Sequence, residues 1–174
     1  MPSILFVCTG NRYRSPIAAA AFLRKAKEAK LGDQWVVRSA GTWTTPGLPP
    51  IDAAVRTAGA LGLDIAGHKT TPISQKDFEE YDLVLVMEAG HKEAILNEFS
   101  QSRGRVFLLT EVATNIAYDI PDPLQSEERG EADKIAAEIC NLIDVGFEKI
   151  TRLASHLRQV DEPVSNETHP QASK

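Results

Sequence analysis

The sequence contains only two cysteines, Cys8 and Cys140, among its 174 residues. Two cysteines are too few for the disulfide framework of a small secreted protein, and no paired spacing of cysteine and histidine indicates zinc. Long apolar runs are also lacking, since no segment approaches the ~20 residues that cross a membrane. The N-terminus has neither the basic start nor the long apolar stretch of a signal peptide. We therefore expect a cytoplasmic protein with no membrane partner, no metal and no cofactor.

Basic charge is scarce as well, because the formal net charge is -5. A broad basic surface is needed for general binding of nucleic acid, so nucleic acid is not an expected partner. A small local anion site remains compatible with this charge. The content of hydrophobic residues (43%) and charged residues (25%) is ordinary for a globular protein.

Short apolar runs alternate with segments of helical period along the chain. Four runs predict buried strands: 4–7, 35–38, 83–87 and 106–109. Helices are predicted over 16–30, 51–61 and 88–99, and a long apolar stripe predicts a last helix that begins near Ser126. This alternation indicates an α/β fold of the Rossmann-like kind, with a parallel sheet and helices on both faces. We expect one domain over residues 1–157 and a disordered polar tail over 158–174.

The predicted topology brings four segments to one edge of the sheet. Open parallel sheets bind ligands outside the carboxyl ends of their strands. The segments at that edge are 8–15, 39–50, 87–90 and 110–122. They contain three residues with suitable chemistry for catalysis, Cys8, Arg14 and Asp122, which we expect to lie close together.

The segment 8–15 has the properties of an anion-binding loop. Five residues separate Cys8 from Arg14, between a predicted strand and a predicted helix. The N-terminus of a helix offers free N–H groups and a partial positive charge, and a loop above it can add further N–H groups. Gly10 and Asn11 tolerate unusual backbone angles. The planar guanidinium of Arg14 fits two oxygens of a phosphate group.

The position of Cys8 at this helix N-terminus favours its thiolate form, which makes it a candidate nucleophile. The hydroxyl of Ser15 could then bond to the sulfur. Ser15 and Pro16 also suit the N-cap and the first position of the helix. The alternative is a buried cysteine at a strand end that acts as a small hydrophobic residue.

A phosphate ester also needs a proton donor for its leaving oxygen. Asp122 lies between Pro121 and Pro123, which restrict the backbone around it. Asp119 is the rival candidate. A simple turn aspartate, which is common beside proline, is the alternative interpretation.

These motifs resemble those of the low-molecular-weight protein tyrosine phosphatase family. The matching residues are Cys8-Thr9-Gly10-Asn11, Arg14-Ser15-Pro16 and Asp122-Pro123. The resemblance implies a four-stranded parallel sheet, hydrolysis of phosphotyrosine in a phosphorylated protein or peptide, and release of inorganic phosphate. It also implies Cys8 as nucleophile, Asp122 as general acid, and Ser39 and His68 as braces behind the loop. The loop residues that it assigns to phosphate binding are Thr9, Gly10, Asn11, Arg12, Tyr13 and Ser15.

The chain departs from this family within the loop. Many members have a second cysteine where this sequence has Tyr13. Cys140 lies on the apolar side of the last predicted helix, so we expect it in the core. Arg12 occupies a position that lines the pocket entrance in the family, where it could favour acidic flanking sequence or point to water.

A further departure concerns the wall of the pocket. Members that act on phosphotyrosine often have two tyrosines after the Asp-Pro pair, and here these positions are Leu124 and Gln125. Trp43 or Tyr118 could replace them. Three other functions therefore stay open: a phosphoarginine phosphatase, an arsenate reductase, and a phosphate-binding module without catalysis.

Overall fold

A computed structural model of the chain describes residues 1–125 and 130–161. Its centre is a four-stranded sheet in which every pairing is parallel. The strands are β1 (Ser3–Cys8), β2 (Val36–Gly41), β3 (Leu83–Val86) and β4 (Val106–Leu108), in the order β2-β1-β3-β4. The predicted parallel sheet is confirmed, and each predicted strand agrees with an observed one to within a few residues.

Six α-helices are found within the described residues. They are α1 (Arg14–Glu28), α2 (Asp52–Ala60), α3 (Asp77–Glu80), α4 (Ala89–Glu98), α5 (Leu109–Thr114) and α6 (Glu131–Asp161). Three short 3₁₀ turns cover Gly32–Gln34, Ser100–Ser102 and Pro123–Gln125.

The helices cover both faces of the sheet, as predicted. Successive side chains of a strand point to opposite faces, and β1 is buried on both. Ile4, Phe6 and Cys8 belong to the larger apolar cluster, which includes residues of α1, α2, α5 and α6. Leu5 and Val7 belong to the second cluster, which includes residues of α3 and α4.

The start of α1 differs from the prediction. The helix begins at Arg14, and its N-cap is Tyr13, which makes no side-chain cap bond. Ser15 is therefore inside the first turn and is not the N-cap. Its hydroxyl is free to contact the end of β1. Pro16 still lies in the first turn, where a backbone N–H has no helical partner.

The region predicted as a loop over 110–125 begins with the helix α5, so that part of the prediction is wrong. The helix has only six residues, and its packing explains its formation. Leu109 and Ala113 are one turn apart and are both buried. A Cβ atom on Gly146 of α6 would lie 2.6 Å from the Cβ atom of Ala113, so glycine permits this close approach.

The last helix continues to Asp161, past the predicted boundary at residue 157. Residues 158–161 are helical and are not part of a disordered tail, because an existing helix is extended readily once its first turns are formed. The guanidinium of Arg158 donates a hydrogen bond to the carbonyl of Met1. The predicted helix start at Ser126 and the predicted tail over 162–174 lie outside the described residues. Within the described residues, no helix combines the length and the apolar character of a membrane span.

Candidate active site

The candidate site lies where the order of the strands reverses. From β1 the chain passes to β2 on one side of the sheet and later to β3 on the other. Such switch points are the usual ligand sites of open α/β sheets. Cys8 ends β1, and Glu88 follows β3 by two residues. The loop 9–13 connects β1 to α1 above this edge.

Cys8 presents its sulfur to the loop that follows it. The Sγ atom lies 3.1 Å from Ser15 Oγ and accepts a hydrogen bond from the backbone N–H of Asn11 at 3.3 Å. Only 2% of the residue is exposed. The end of β1, the loop and the first turn of α1 thus converge on the sulfur, as the sequence predicted.

Asn11 holds the loop in its curled form. Its φ of 54° is in the left-handed region, which asparagine tolerates. Its side-chain amide donates to Ser15 Oγ and to Ser39 Oγ, both at 2.9 Å. Its side-chain oxygen accepts from the backbone N–H of Thr71 at 2.9 Å, and its carbonyl accepts from His68 Nε2 at 2.8 Å. Ser39 and His68, which the resemblance implies as braces of the loop, therefore both contact Asn11.

The electrostatics of His68 follow from this position. Burial lowers the pKa of His68, while its hydrogen bond to the carbonyl of Asn11 acts in the opposite direction. A carbonyl oxygen can only accept a hydrogen bond, so the ring carries a proton on Nε2. A neutral His68 thus suffices to hold the backbone of Asn11.

Gly10 does not have the backbone role that the sequence suggested for it. Gly10 is outside the left-handed region, so Asn11 alone in the loop 9–13 takes the unusual backbone angle. A Cβ atom on Gly10 would meet nothing within 4 Å. At the end of β2, by contrast, a Cβ atom on Gly41 would lie 2.6 Å from the carbonyl oxygen of Thr9. Glycine at position 41 therefore leaves the space that the loop occupies.

Arg14 is the largest polar side chain in the interior, with 1% of it exposed. Its Nη1 atom forms an ion pair with Glu88 and donates to the carbonyl of Ile120 at 2.8 Å. Its Nη2 atom lies 3.0 Å from Asp122 Oδ2 and 3.4 Å from Thr9 Oγ1. A buried charge is stable only when it is paired and hydrogen-bonded, and these partners also fix the plane of the guanidinium.

The two candidate acids are separated by their contacts. Asp122 reaches Arg14, and its other oxygen accepts from the backbone N–H of Leu124 at 3.0 Å. Asp119 instead accepts from the backbone N–H of Ala89 at 2.7 Å, at the N-terminus of α4. The geometry therefore favours Asp122 over Asp119 as the carboxylate that acts beside Arg14 and the loop 9–13.

Sequence reasoning missed Glu88, His91 and Ile120. Glu88 lies within the segment 87–90 that the topology placed at the site, and its charge directly after a buried strand was a usable signal. Ile120 is fully buried in a loop, and its N–H donates to the carbonyl of Met87 at 2.8 Å. It anchors the segment that carries Asp122. No pattern in the sequence distinguishes the buried His91 from a histidine on the exposed face of a helix.

Tyr13 was expected to bind phosphate as a residue of the loop, and its side chain is buried against α6. It is 3% exposed, and its hydroxyl donates to the carbonyl of Ala132 at 2.7 Å. Burial raises the pKa of Tyr13. Only its backbone is left for phosphate binding. Cys140 is buried in the larger cluster, as expected, and burial raises the pKa of its thiol.

The residues at the rim of the site are more exposed to solvent than Cys8 and Arg14. Arg12 donates from Nε to the carbonyl of Pro49 at 2.8 Å, which directs its side chain along the loop 42–50. Trp43 is 85% exposed and Leu124 is 61% exposed. Tyr118 is exposed as well, and its hydrogen bonds with Thr110 are made by its backbone N–H and carbonyl. The side chain of Gln125 lies outside the described part of the chain.

The residues of the site do not form a metal centre. Among residues 1–125 and 130–161, no group of three histidine, cysteine or acidic side chains is arranged to hold a metal ion. The charged part of the site consists of the Arg14 guanidinium between two carboxylates, and the Cys8 sulfur is bonded to the loop that precedes Arg14. This arrangement suits a tetrahedral anion that binds Arg14 and is attacked by Cys8.

Comparison with known proteins gives the same picture. A protein-arginine-phosphatase of Bacillus subtilis (strain 168) is 37% identical over 120 residues, which cover 69% of this chain and 78% of that protein. The crystal structure of a low molecular weight protein tyrosine phosphatase from T. tengcongensis is 31% identical, with a TM-score of 0.78, and the match covers 86% of this chain and 99% of that one.

A third match is the YwlE arginine phosphatase, in a mutant form with a phosphorylated active-site serine. It is 29% identical with a TM-score of 0.75, and the match covers 95% of this chain and 99% of that one. The family model described as low molecular weight phosphotyrosine protein phosphatase matches residues 3–164. With this match over nearly its whole length, the chain belongs to the low molecular weight phosphotyrosine protein phosphatase family.

Proposed function

We propose that this protein hydrolyses phosphotyrosine in protein substrates through a phosphocysteine intermediate on Cys8. The observations that carry this proposal are the Cys8 sulfur, which accepts the N–H of Asn11, and the buried guanidinium of Arg14, which contacts Thr9 of the same loop and Asp122. These groups together match a phosphate dianion in charge and in hydrogen-bonding capacity. Family membership supports a phosphatase reaction.

In the first step, the Cys8 thiolate attacks the phosphorus atom in line with the leaving oxygen. A sulfur–phosphorus bond forms, the bond from phosphorus to the ester oxygen breaks, and Asp122 gives its proton to that oxygen. Arg14 and the N–H groups of the loop stabilise the charge on the three other oxygens. The carboxylate of Glu88 and the carbonyl of Ile120 bind Nη1 of Arg14 and fix the position of the guanidinium.

In the second step, the ionised Asp122 removes a proton from water as the water oxygen attacks phosphorus. The sulfur–phosphorus bond breaks, inorganic phosphate leaves, and the Cys8 thiolate returns. The Ser15 hydroxyl has one proton and two possible acceptors, Cys8 Sγ at 3.1 Å and the carbonyl of Ala40 at 3.3 Å. We infer that it donates to the sulfur when the sulfur is an anion. A phosphoryl group on the active-site serine of a structural relative supports a covalent intermediate.

Phosphoarginine is the second candidate substrate. It is favoured by the absence of the aromatic pair after Asp122, where Leu124 is exposed at the rim. The Bacillus subtilis relative, which is named a protein-arginine-phosphatase, supports the same candidate. The same mechanism would apply, with a nitrogen of the arginine as the leaving atom and as the acceptor of the proton from Asp122.

A reducing compartment such as the cytoplasm would suit this reaction, because it requires a free thiol at Cys8. Both cysteines of the chain are free in the structure. The proposed partners are phosphorylated proteins, with inorganic phosphate as the product.

The test compares two peptides of the same sequence, one with phosphotyrosine and one with phosphoarginine, by release of phosphate. We expect faster turnover of the phosphotyrosine peptide, no turnover by Cys8→Ser, and normal turnover by the control Cys140→Ala. Phosphate release by folded Cys8→Ser would overturn the proposed mechanism. Faster turnover of the phosphoarginine peptide would instead establish the second candidate.

A further inference from the structure

The N-terminal turn of α4 contacts the loop 9–13 and the first residue of α1 at one point each. One is the ion pair between Glu88 and Arg14. The other is a hydrogen bond between His91 and Thr9, in which the Nε2 and Oγ1 atoms are 2.8 Å apart. His91 is 6% exposed. It lies on the side of α4 that faces the site, although nothing in the reaction described above uses it.

The hydrogen bonds of His91 define which ring nitrogen carries the proton. The backbone N–H of Glu88 donates to His91 Nδ1 at 3.2 Å. Since Nδ1 accepts, the proton of the neutral ring is on Nε2, and Nε2 donates to Thr9 Oγ1. The imidazole thus forms a bridge from the backbone after β3 to the first residue after Cys8.

Thr9 passes this contact on to the guanidinium. Its Oγ1 atom also lies 3.4 Å from Arg14 Nη2, the nitrogen that contacts Asp122. The hydroxyl oxygen therefore accepts from His91 and faces a second donor on Arg14. Its own proton is then available to an acceptor at the site, such as an oxygen of the bound phosphate.

We propose that His91 is a positioning residue that acts through Thr9, orienting its hydroxyl and the Nη2 edge of Arg14 toward the phosphate group. This inference rests on the proposed phosphatase function. The alternative is that His91 only caps the N-terminus of α4, through its bond to the N–H of Glu88. The two roles differ in a measurable way, because a residue that only caps the helix has no energetic coupling to the Thr9 hydroxyl.

Several charges surround His91, and they determine how it responds to pH. Glu88 on its own helix lies 4.0 Å from Nε2, Arg14 faces it from α1, and Asp119 and Asp122 face it from the acid-bearing loop. Burial is the largest effect and lowers the pKa of His91; Arg14 lowers it further, and the carboxylates raise it. The ring is therefore neutral at neutral pH. Protonation of Nδ1 at acidic pH would break its bond to the N–H of Glu88.

The experiment uses the full chain with an aryl phosphate and a double-mutant cycle. His91→Phe removes the hydrogen bond to Thr9, and we expect it to lower kcat/KM about tenfold, the effect of one lost hydrogen bond. Thr9→Val removes this bond together with the contact to Arg14 and the hydroxyl proton, so it should lose at least as much. The double variant should lose no more than Thr9→Val alone, because the interaction that His91→Phe removes is already absent there. His156→Gln, on the exposed side of α6, is the matched histidine control and should keep full activity.

His91→Gln provides a second test, since glutamine can donate to Thr9 but does not titrate in this range. We expect it to regain most of the activity lost in His91→Phe and to remove one ionisation from the acidic limb of the pH–rate profile. If His91→Phe is unfolded by circular dichroism, the pair His91→Gln and Thr9→Val carries the test. An acidic limb of the pH–rate profile that is unchanged in His91→Gln, or full activity in Thr9→Val, would then overturn the proposal.

If all variants are folded and the losses of activity in His91→Phe and Thr9→Val add up in the double variant, the proposal that His91 acts through Thr9 is also overturned. Failure of the phosphatase function has a different signature, because Cys8→Ser, measured in parallel, would then keep turnover. If Cys8→Ser is inactive while His91→Phe and Thr9→Val match the parent protein, only the inference about His91 fails.

Discussion

Arg14 Nη2 lies 3.0 Å from Asp122 Oδ2, so the proposed phosphate-binding group and the proposed acid are in direct contact. A phosphate oxygen that binds the same nitrogen has to compete with the carboxylate for it. Binding of the anion and release of Asp122 from Arg14 are therefore linked. This link predicts opposite effects on binding and on catalysis when the charge of Asp122 is removed.

We expect Asp122→Asn to slow hydrolysis of phenyl phosphate by about 10²- to 10⁴-fold, because the acid that protonates the leaving oxygen is lost. Hydrolysis of p-nitrophenyl phosphate should fall much less, since its leaving group is stable without a proton. Inhibition by inorganic phosphate should become stronger, because no carboxylate competes for Arg14. Steady-state kinetics with both esters and with phosphate as inhibitor provide the measurement.

The matched control for this variant is Asp119→Asn. Its carboxylate contacts the N–H of Ala89 at the start of α4 and not Arg14. Any loss of activity should thus be equal for the two esters. If Asp119→Asn shows the dependence on the leaving group and Asp122→Asn does not, the assignment of the acid is wrong.

Glu88 is the second carboxylate partner of the Arg14 guanidinium. We expect the removal of its side chain to act mainly by changing the orientation of the guanidinium, and less through the lost negative charge. Glu88→Leu leaves Nη1 of Arg14 with the carbonyl of Ile120 alone. We expect kcat/KM to fall about 10²-fold, the typical effect of a small misplacement in an active site. Glu88→Gln retains an oxygen that can accept from Nη1 and should lose clearly less. Equal losses in the two variants would mean that the charge of Glu88, and not its hydrogen bond, matters.

The sequence allowed the sheet and the centre of the site to be predicted for a simple physical reason. Strands buried on both faces are continuous apolar runs, such as the run that ends at Cys8, and a parallel sheet puts all their carboxyl ends at one edge. A loop at this edge that combines cysteine, glycine and arginine has few structural explanations. The contacts of Cys8 with Asn11 and Ser15 follow from local chain geometry.

The parts that could not be predicted depend on contacts between distant segments. Glu88 pairs with a residue 74 positions away, and nothing in its neighbourhood indicates that partner. The short helix α5 forms because Ala113 packs against Gly146 of α6, not because of its own propensity. The resemblance assigned Tyr13 to phosphate binding as a residue of the loop, but it did not indicate that the ring of Tyr13 is buried against α6.

The two asparagines in the left-handed region provide a test of the network behind the loop. Asn11 and Asn115 have φ values of 54° and 63°, but only Asn11 is buried. Asn115→Ala should lower the free energy of unfolding by about 1 kcal/mol, the cost of a left-handed alanine. Asn11→Ala should lower it by about 2–3 kcal/mol more, because Ser15, Ser39 and the N–H of Thr71 lose their partner.

Chemical denaturation measures both asparagine variants, and phosphatase activity adds a second readout. Asn11→Ala should lose activity at temperatures where it is still folded, whereas Asn115→Ala should keep it. Equal losses of stability in the two variants would show that backbone strain alone, and not the side-chain network, makes Asn11 important.

His68 should make the stability of the protein depend on pH in a defined direction. Its pKa in the folded protein is lowered from the ordinary value of 6.5, so between the two values the unfolded chain binds more protons than the folded one. The stability contribution of the neutral ring is therefore complete above pH 6.5 and is lost as the pH falls from there toward the folded-state pKa.

We expect His68→Gln to reduce this loss, because glutamine can still donate to the carbonyl of Asn11 but takes up no proton. His68→Leu should reduce the pH dependence by the same amount. It should also be less stable than His68→Gln by about 1–3 kcal/mol at every pH, since the carbonyl of Asn11 is then unpaired. Urea denaturation at several pH values between 5 and 8 separates the two effects. A parent protein that gains stability relative to His68→Gln as the pH falls would show that the ring is held in its charged form.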